Sequence, residues 1–137
     1  MSKNIKNERT KILELLANMI YIEHILTKEG ISMNNIKELY GEAIIDSRDS
    51  EELNIGERIK LEYYKTISKL FANGNRETYG IGIVKKYKDT KKEKIESREI
   101  NNILLEEKQT EKLLKILINN KVTPIALDDV LTDLIRA

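Results

Sequence analysis

No cysteine and no tryptophan occur among the 137 residues, and proline, histidine and phenylalanine occur once each. Without thiols there are no disulfides, no thiolate metal sites and no cysteine nucleophile, which suits a reducing cytoplasm. The single histidine, His24, has no identifiable partner for general acid–base or triad chemistry. Glu23 is adjacent in sequence but points elsewhere on a helix, and Lys28 lies one turn on. The few aromatics, six Tyr and Phe71, leave the core to Ile and Leu. No run approaches the roughly 20 apolar residues of a membrane span. The start, Met-Ser-Lys-Asn-Ile-Lys-Asn-Glu-Arg, is polar and has no signal-peptide stretch. These features predict a cytoplasmic, non-enzymatic protein without cofactor, metal or membrane contact.

What is present is 40% hydrophobic and 34% charged residues at a net charge of +1, a composition for one charge-rich globular domain. Residues 1–8 read as a flexible arm. A first helix is expected from Glu8 to Lys28, where Ile12, Leu15, Met19, Ile22 and Leu26 alternate spacings of three and four. Gly30 is its C-cap and Ser32 the N-cap of a second helix, Met33 to Ile45, with Ile36, Leu39 and Tyr40 inward. Asp46 to Gly56 reads as an acidic loop. From Glu42 to Glu57 there are six carboxylates and one Arg, a net of −5. The cluster Asp46, Asp49, Glu51 and Glu52 lacks the spacing of a calcium loop. A third helix is expected from Glu57 to Asn73, on Ile59, Tyr63, Ile67, Leu70 and Phe71.

A β-hairpin follows over residues 78–98. Tyr79, Ile81, Ile83 and Tyr87 alternate on one face, the turn lies near Lys88-Asp89-Thr90-Lys91, and the second strand holds only Ile95 as a large apolar residue. Gly80-Ile81-Gly82 lacks the longer glycine pattern of a phosphate loop and sits inside a strand, so a bulge or close packing is expected there. Ile100 to Asn119 carries a helical signal that is expected to split near Gln109-Thr110. The last helix starts at the N-cap Thr123 with Pro124 at its first position. Asp128 and Asp129 complement its dipole, and Leu127, Val130, Leu131, Leu134 and Ile135 form its apolar stripe. The expected architecture is therefore mainly α: a single-domain bundle of five or six helices with one wing-like β-hairpin before the C-terminal helices.

Charge is concentrated in that hairpin. Lys85, Lys86, Lys88, Lys91, Lys92 and Lys94 stand against Asp89 and Glu93, a net of +4 in ten residues. On a projecting ribbon these lysines could track phosphates, with Tyr87 stacking on a base and Arg76 and Arg98 flanking the ribbon's base. Lysine is a point charge without the bidentate fork that reads guanine, so affinity without sequence reading is expected. The leading expectation is a nucleic-acid-binding accessory protein for DNA or RNA. The alternative is a homo-oligomeric adaptor or inhibitor of viral or plasmid type. It would act by protein contact and self-associate through helix 8–28 or helix 124–137.

Overall fold

The structure, a computed structural model, describes residues 33–54, 56–70 and 76–136. Four strands run in order along the chain and in order across one antiparallel sheet: β1 (Met33–Asp46), β2 (Arg58–Leu70), β3 (Arg76–Asp89) and β4 (Lys92–Leu104). Two helices follow, α1 (Glu107–Asn119) and α2 (Leu127–Arg136). Strand outweighs helix among the described residues, 55% to 23%, so the expected helical bundle is overturned. The segments read as helices over 33–45 and 57–73 hold β1 and β2 instead, and residues 71–73 of the second lie outside the described residues. The expected helix over 8–28 lies outside the described residues, and so does the arm over 1–8.

The misreading has a physical cause. Ile59, Tyr63 and Ile67 are four residues apart, which fits a helix face, but an interval of four is also even and returns to the same face of a strand. The intervening odd positions, Leu61 and Lys65, complete a strand alternation from Ile59 to Ile67. Lys65 breaks its apolar character, so the period-two signal is hidden by one charge. In β1 the alternation is interrupted by a bulge, with the register shifting between Leu39 and Gly41. An extra residue there puts Tyr40 out of phase and lets Ile36, Tyr40 and Ala43 mimic helical spacing.

One face of the sheet is apolar. Leu61 and Tyr63 of β2 and Ile81 and Ile83 of β3 are fully buried, and Tyr79 nearly so. α1 lies across all four strands on this face, presenting Thr110, Leu113, Leu114 and Leu117 at helical spacing. Leu127 and Leu131 of α2 join the same core. Each such Leu or Ile contributes about 1.5–3 kcal/mol of burial. Tyr63 spans the layer and donates its hydroxyl to the Val122 carbonyl at 2.9 Å. Lys65 also points inward, 7% exposed, and lies 3.2 Å from Glu107, 3.4 Å from Glu111 and 3.6 Å from Glu38. Burial pushes its ammonium down, but the hydrogen bonds to Glu107 and Glu111 outweigh that and raise it.

The residues after the hairpin divide differently from the expectation. Ile100 to Leu104 complete β4, and the break falls at Leu105-Glu106 rather than at Gln109-Thr110. α1 ends where Lys121 takes a left-handed conformation (φ 47) and Val122 N–H donates to the Leu117 carbonyl at 3.0 Å. Thr123 then caps a turn through Pro124: Ala126 N–H donates to the Thr123 carbonyl at 3.1 Å and to its hydroxyl oxygen at 3.4 Å. α2 begins only at Leu127, so Thr123 and Pro124 belong to the preceding turn and not, as expected, to the helix's N-cap and first position. Among the described residues, no helix is long and apolar enough to cross a membrane.

Candidate nucleic-acid interface

The hairpin lies where the sequence puts it, but it is not a free wing. β3 is an interior strand, paired with β2 on one side and β4 on the other. Its register with β2 runs from Arg76 opposite Leu70 to Lys86 opposite Lys60. Only the tip beyond Lys86 lacks a partner on the β2 side. The turn has two residues, Thr90 and Lys91, between paired Asp89 and Lys92. Both have positive φ, 48 and 70, as a twisted antiparallel pair requires of so short a connection.

A pleated sheet sends alternate residues to opposite faces, and this divides the predicted lysines. Lys85 faces the helix side: its ammonium sits over the Tyr87 ring at 4.7 Å and 3.7 Å from Glu96. The Tyr87 hydroxyl donates to Glu96 at 2.8 Å, and that bond raises its pKa. Tyr87 is therefore held by Glu96 and covered by Lys85. Lys94 pairs with Asp89 at 3.0 Å. Lys86 and Lys88 face the opposite, outer side. Lys86 is 2.8 Å from Glu62, a contact that raises the ammonium and lowers the carboxyl. Among the described residues Lys88, Lys91 and Lys92 make no ion pair. The two arginines are elsewhere. Arg76 opens β3 at the far end of the sheet, roughly 40 Å of strand from Lys88. Arg98 reaches α2, 3.3 Å from Asp128.

The outer face adds residues that sequence reasoning missed. One register row crosses all four strands: Ile44 of β1 opposite Lys60, Lys60 opposite Lys86, and Lys86 opposite Ile95 of β4. Directly opposed side chains stand about 5 Å apart, so two lysines adjoin between two isoleucines. Ile44 and Ile95 are 41% and 66% exposed. Glu42 lies 3.5 Å from Lys60, and Glu62 bridges Lys60 and Lys86, which relieves the like-charge contact. A cleft of about 610 Å³ runs along this row and on to the hairpin tip. Arg58, Lys60, Lys86, Lys88 and Lys94 line it against Glu57 and Glu93. Arg58 and Lys60 were hidden because they belong to β2. A period-two reading of residues 58–67 would have placed both on the face opposite Ile59 and Leu61.

The acidic loop is neutralised in part by its own neighbours. Asp46 accepts hydrogen bonds from the Arg48 guanidinium at 3.0 Å and backbone N–H at 2.9 Å, which lower its pKa to about 2. Asp49 accepts from Lys121 at 2.8 Å, tying the loop to the connection between the helices. Gly80 is buried beneath the β4 bulge, where the Ile100 carbonyl, Thr66 hydroxyl and Asn101 Cα close over it.

The chain belongs to a protein family of unknown function, DUF6514, which matches residues 42–137. That span contains every residue lining the cleft. No curated protein and no solved structure matches the chain.

Proposed function

We propose that this member of a family of unknown function is a non-enzymatic nucleic-acid-binding accessory protein, which seats phosphates along the outer-face cleft and the hairpin tip. The observation that carries this reading is the continuity of positive charge from Arg58, Lys60 and Lys86 to the unpaired Lys88, Lys91 and Lys92. Arg58 and Lys60 on β2 lie beside Lys88 and Lys86 on β3, each pair two residues apart, so the cations form a patch that continues into the hairpin tip and that several phosphates could contact. Ile44 and Ile95 flank that patch and offer apolar contact to sugars or bases. Lysine ammoniums make point contacts, so the reading is of affinity without sequence specificity. A cytoplasmic setting belongs to the same reading.

The test is fluorescence anisotropy with labelled single- and double-stranded DNA and RNA across a salt series. Four phosphate contacts to a single strand give a log–log salt slope of about −3. Among the described residues, Lys88→Glu, Lys91→Glu and Lys92→Glu together touch no ion pair, so folding is expected to survive. They are expected to weaken binding at least tenfold and flatten the slope. Undiminished binding by that variant, or no binding by the parent protein at low salt, refutes the reading.

A second reading, a homo-oligomeric adaptor or inhibitor acting by protein contact, is supported by a different observation: the long edge strand β1 exposes Ile36, Leu39 and Ile44.

A further inference from the structure

We infer that the outer edge of β1 pairs with the same edge of a second copy of this chain, joining two four-stranded sheets into one antiparallel sheet about a two-fold axis. This rests on the edge strand alone and stands or falls independently of nucleic-acid binding.

The two edges of the sheet are built differently. β4 carries Lys92, Glu93, Lys94, Glu96, Arg98 and Glu99 within its first eight residues, the charge density that keeps an edge from pairing with other chains. β1, at 14 residues one longer than β4, carries only Lys37, Glu38, Glu42 and Asp46. Among the described residues it holds three of the five exposed large apolar side chains: Ile36, Leu39 and Ile44 at 43%, 52% and 41%. Among the described residues nothing pairs with its outer side. A strand edge leaves a row of backbone N–H and C=O groups for a partner strand, and β1 lacks the charges that would repel one.

Charge complementarity selects the occupant and the register. Lys37 lies opposite Thr66, and Glu42 opposite Glu62, so both project from the outer face. In an antiparallel pair of β1 strands that sets Lys37 against the second copy's Glu42, symmetry sets Glu42 against its Lys37. One register thus makes two opposite-charge pairs, whereas a shift of two residues either way makes neither. The same register sets Ile36 against Ala43 and Asn35 against Ile44. The β1 bulge falls at the axis, between Leu39 and Tyr40, so each copy's extra residue lies beside the other's Leu39 and the face alternation of both strands switches at the same point. Such an isologous contact closes on itself and produces a dimer rather than a filament.

The experiment is sedimentation equilibrium of the full chain from about 1 to 500 μM, with hydrogen exchange of the β1 amides at both ends of that range. A dimer is expected, with β1 amides slower to exchange in the concentrated sample. Lys37→Glu places like charges at both ends of the interface and is expected to raise the dissociation constant about tenfold or more. The double variant Lys37→Glu/Glu42→Lys is expected to restore it, which a merely structural role for either residue would not do. A monomer throughout, β1 exchange independent of concentration, or a dimer indifferent to Lys37→Glu would each overturn the inference.

Discussion

Gly80 and Gly82 are two residues apart on β3 and face the same side, yet the structure makes opposite demands of them. Neither has a positive φ, so alanine's backbone preferences are met at both and only space distinguishes them. A Cβ at Gly80 would overlap the Ile100 carbonyl oxygen and lie 2.5 Å from Thr66 Oγ1 and 2.8 Å from Asn101 Cα. Two of those three neighbours are backbone atoms of the β4 bulge, which cannot step aside as a flexible side chain can. A Cβ at Gly82 would meet Tyr64 Cβ at 3.6 Å and Glu99 Cγ at 3.8 Å, ordinary van der Waals contact. Overpacking costs typically about 1–3 kcal/mol, and a rigid backbone neighbour puts Gly80→Ala at the upper end, about 3 kcal/mol. For a chain of this size that is a fall of roughly 10 °C in Tm. Gly82→Ala is expected within about 0.5 kcal/mol of the parent, since alanine also narrows the unfolded ensemble. Urea unfolding followed by circular dichroism measures both. Equal stability of the two variants, or an unperturbed Gly80→Ala, would refute the closure of the β4 bulge over Gly80. The order of β4 pairing that sets Ile95 opposite Lys86 would then be in question too.

Four further outcomes are expected. Replacing Thr90-Lys91 by Asn-Gly relieves two left-handed residues at the hairpin turn and should raise stability by about 1 kcal/mol in urea unfolding. Tyr63→Phe orphans the buried Val122 carbonyl and should cost about 1–2 kcal/mol by the same measure. Carboxyl carbon NMR titration should find Asp46 half-protonated near pH 2, below its ordinary 3.8. Its contribution to the loop is then present above 3.8 and lost as pH falls through about 2. At the alkaline end, burial and then the bond to Glu77 push Tyr79 up to about 12. The stability it contributes is complete below pH 10 and is lost between 10 and 12. Thermal midpoints in that window should fall less steeply for Tyr79→Phe than for the parent.

The lesson for reading such chains lies in β2 and the hairpin. The hairpin could be read because its apolar residues alternate without interruption from Tyr79 to Ile83 and the residues between them, Gly80 and Gly82, are poor helix formers. Its turn and its lysines are properties of consecutive residues and are visible in one dimension. In β2, Lys65 occupies an inward position that only the three carboxylates of Glu38, Glu107 and Glu111 make tolerable, and those come from β1 and α1. The charge therefore looked like the polar side of a helix. Arg58 and Lys60 were lost to the site with that error, since their outward placement follows from strand alternation alone.

Local chemistry in the sequence sufficed for the turn at Thr90-Lys91, the apolar stripes of both helices and the basic tip. Each depends on residues within a few positions of one another, where φ preferences and hydrogen-bond reach act directly. Tertiary structure decided that 33–46 and 58–70 are strands, that β3 is interior, and that Lys85, Lys86 and Lys94 are paired while, among the described residues, Lys88, Lys91 and Lys92 are not. It also decided that Lys60, 26 residues before Lys86, becomes its neighbour. Strand pairing is a contact between distant segments, and when local spacing suits helix and strand alike, the partner strand makes the choice.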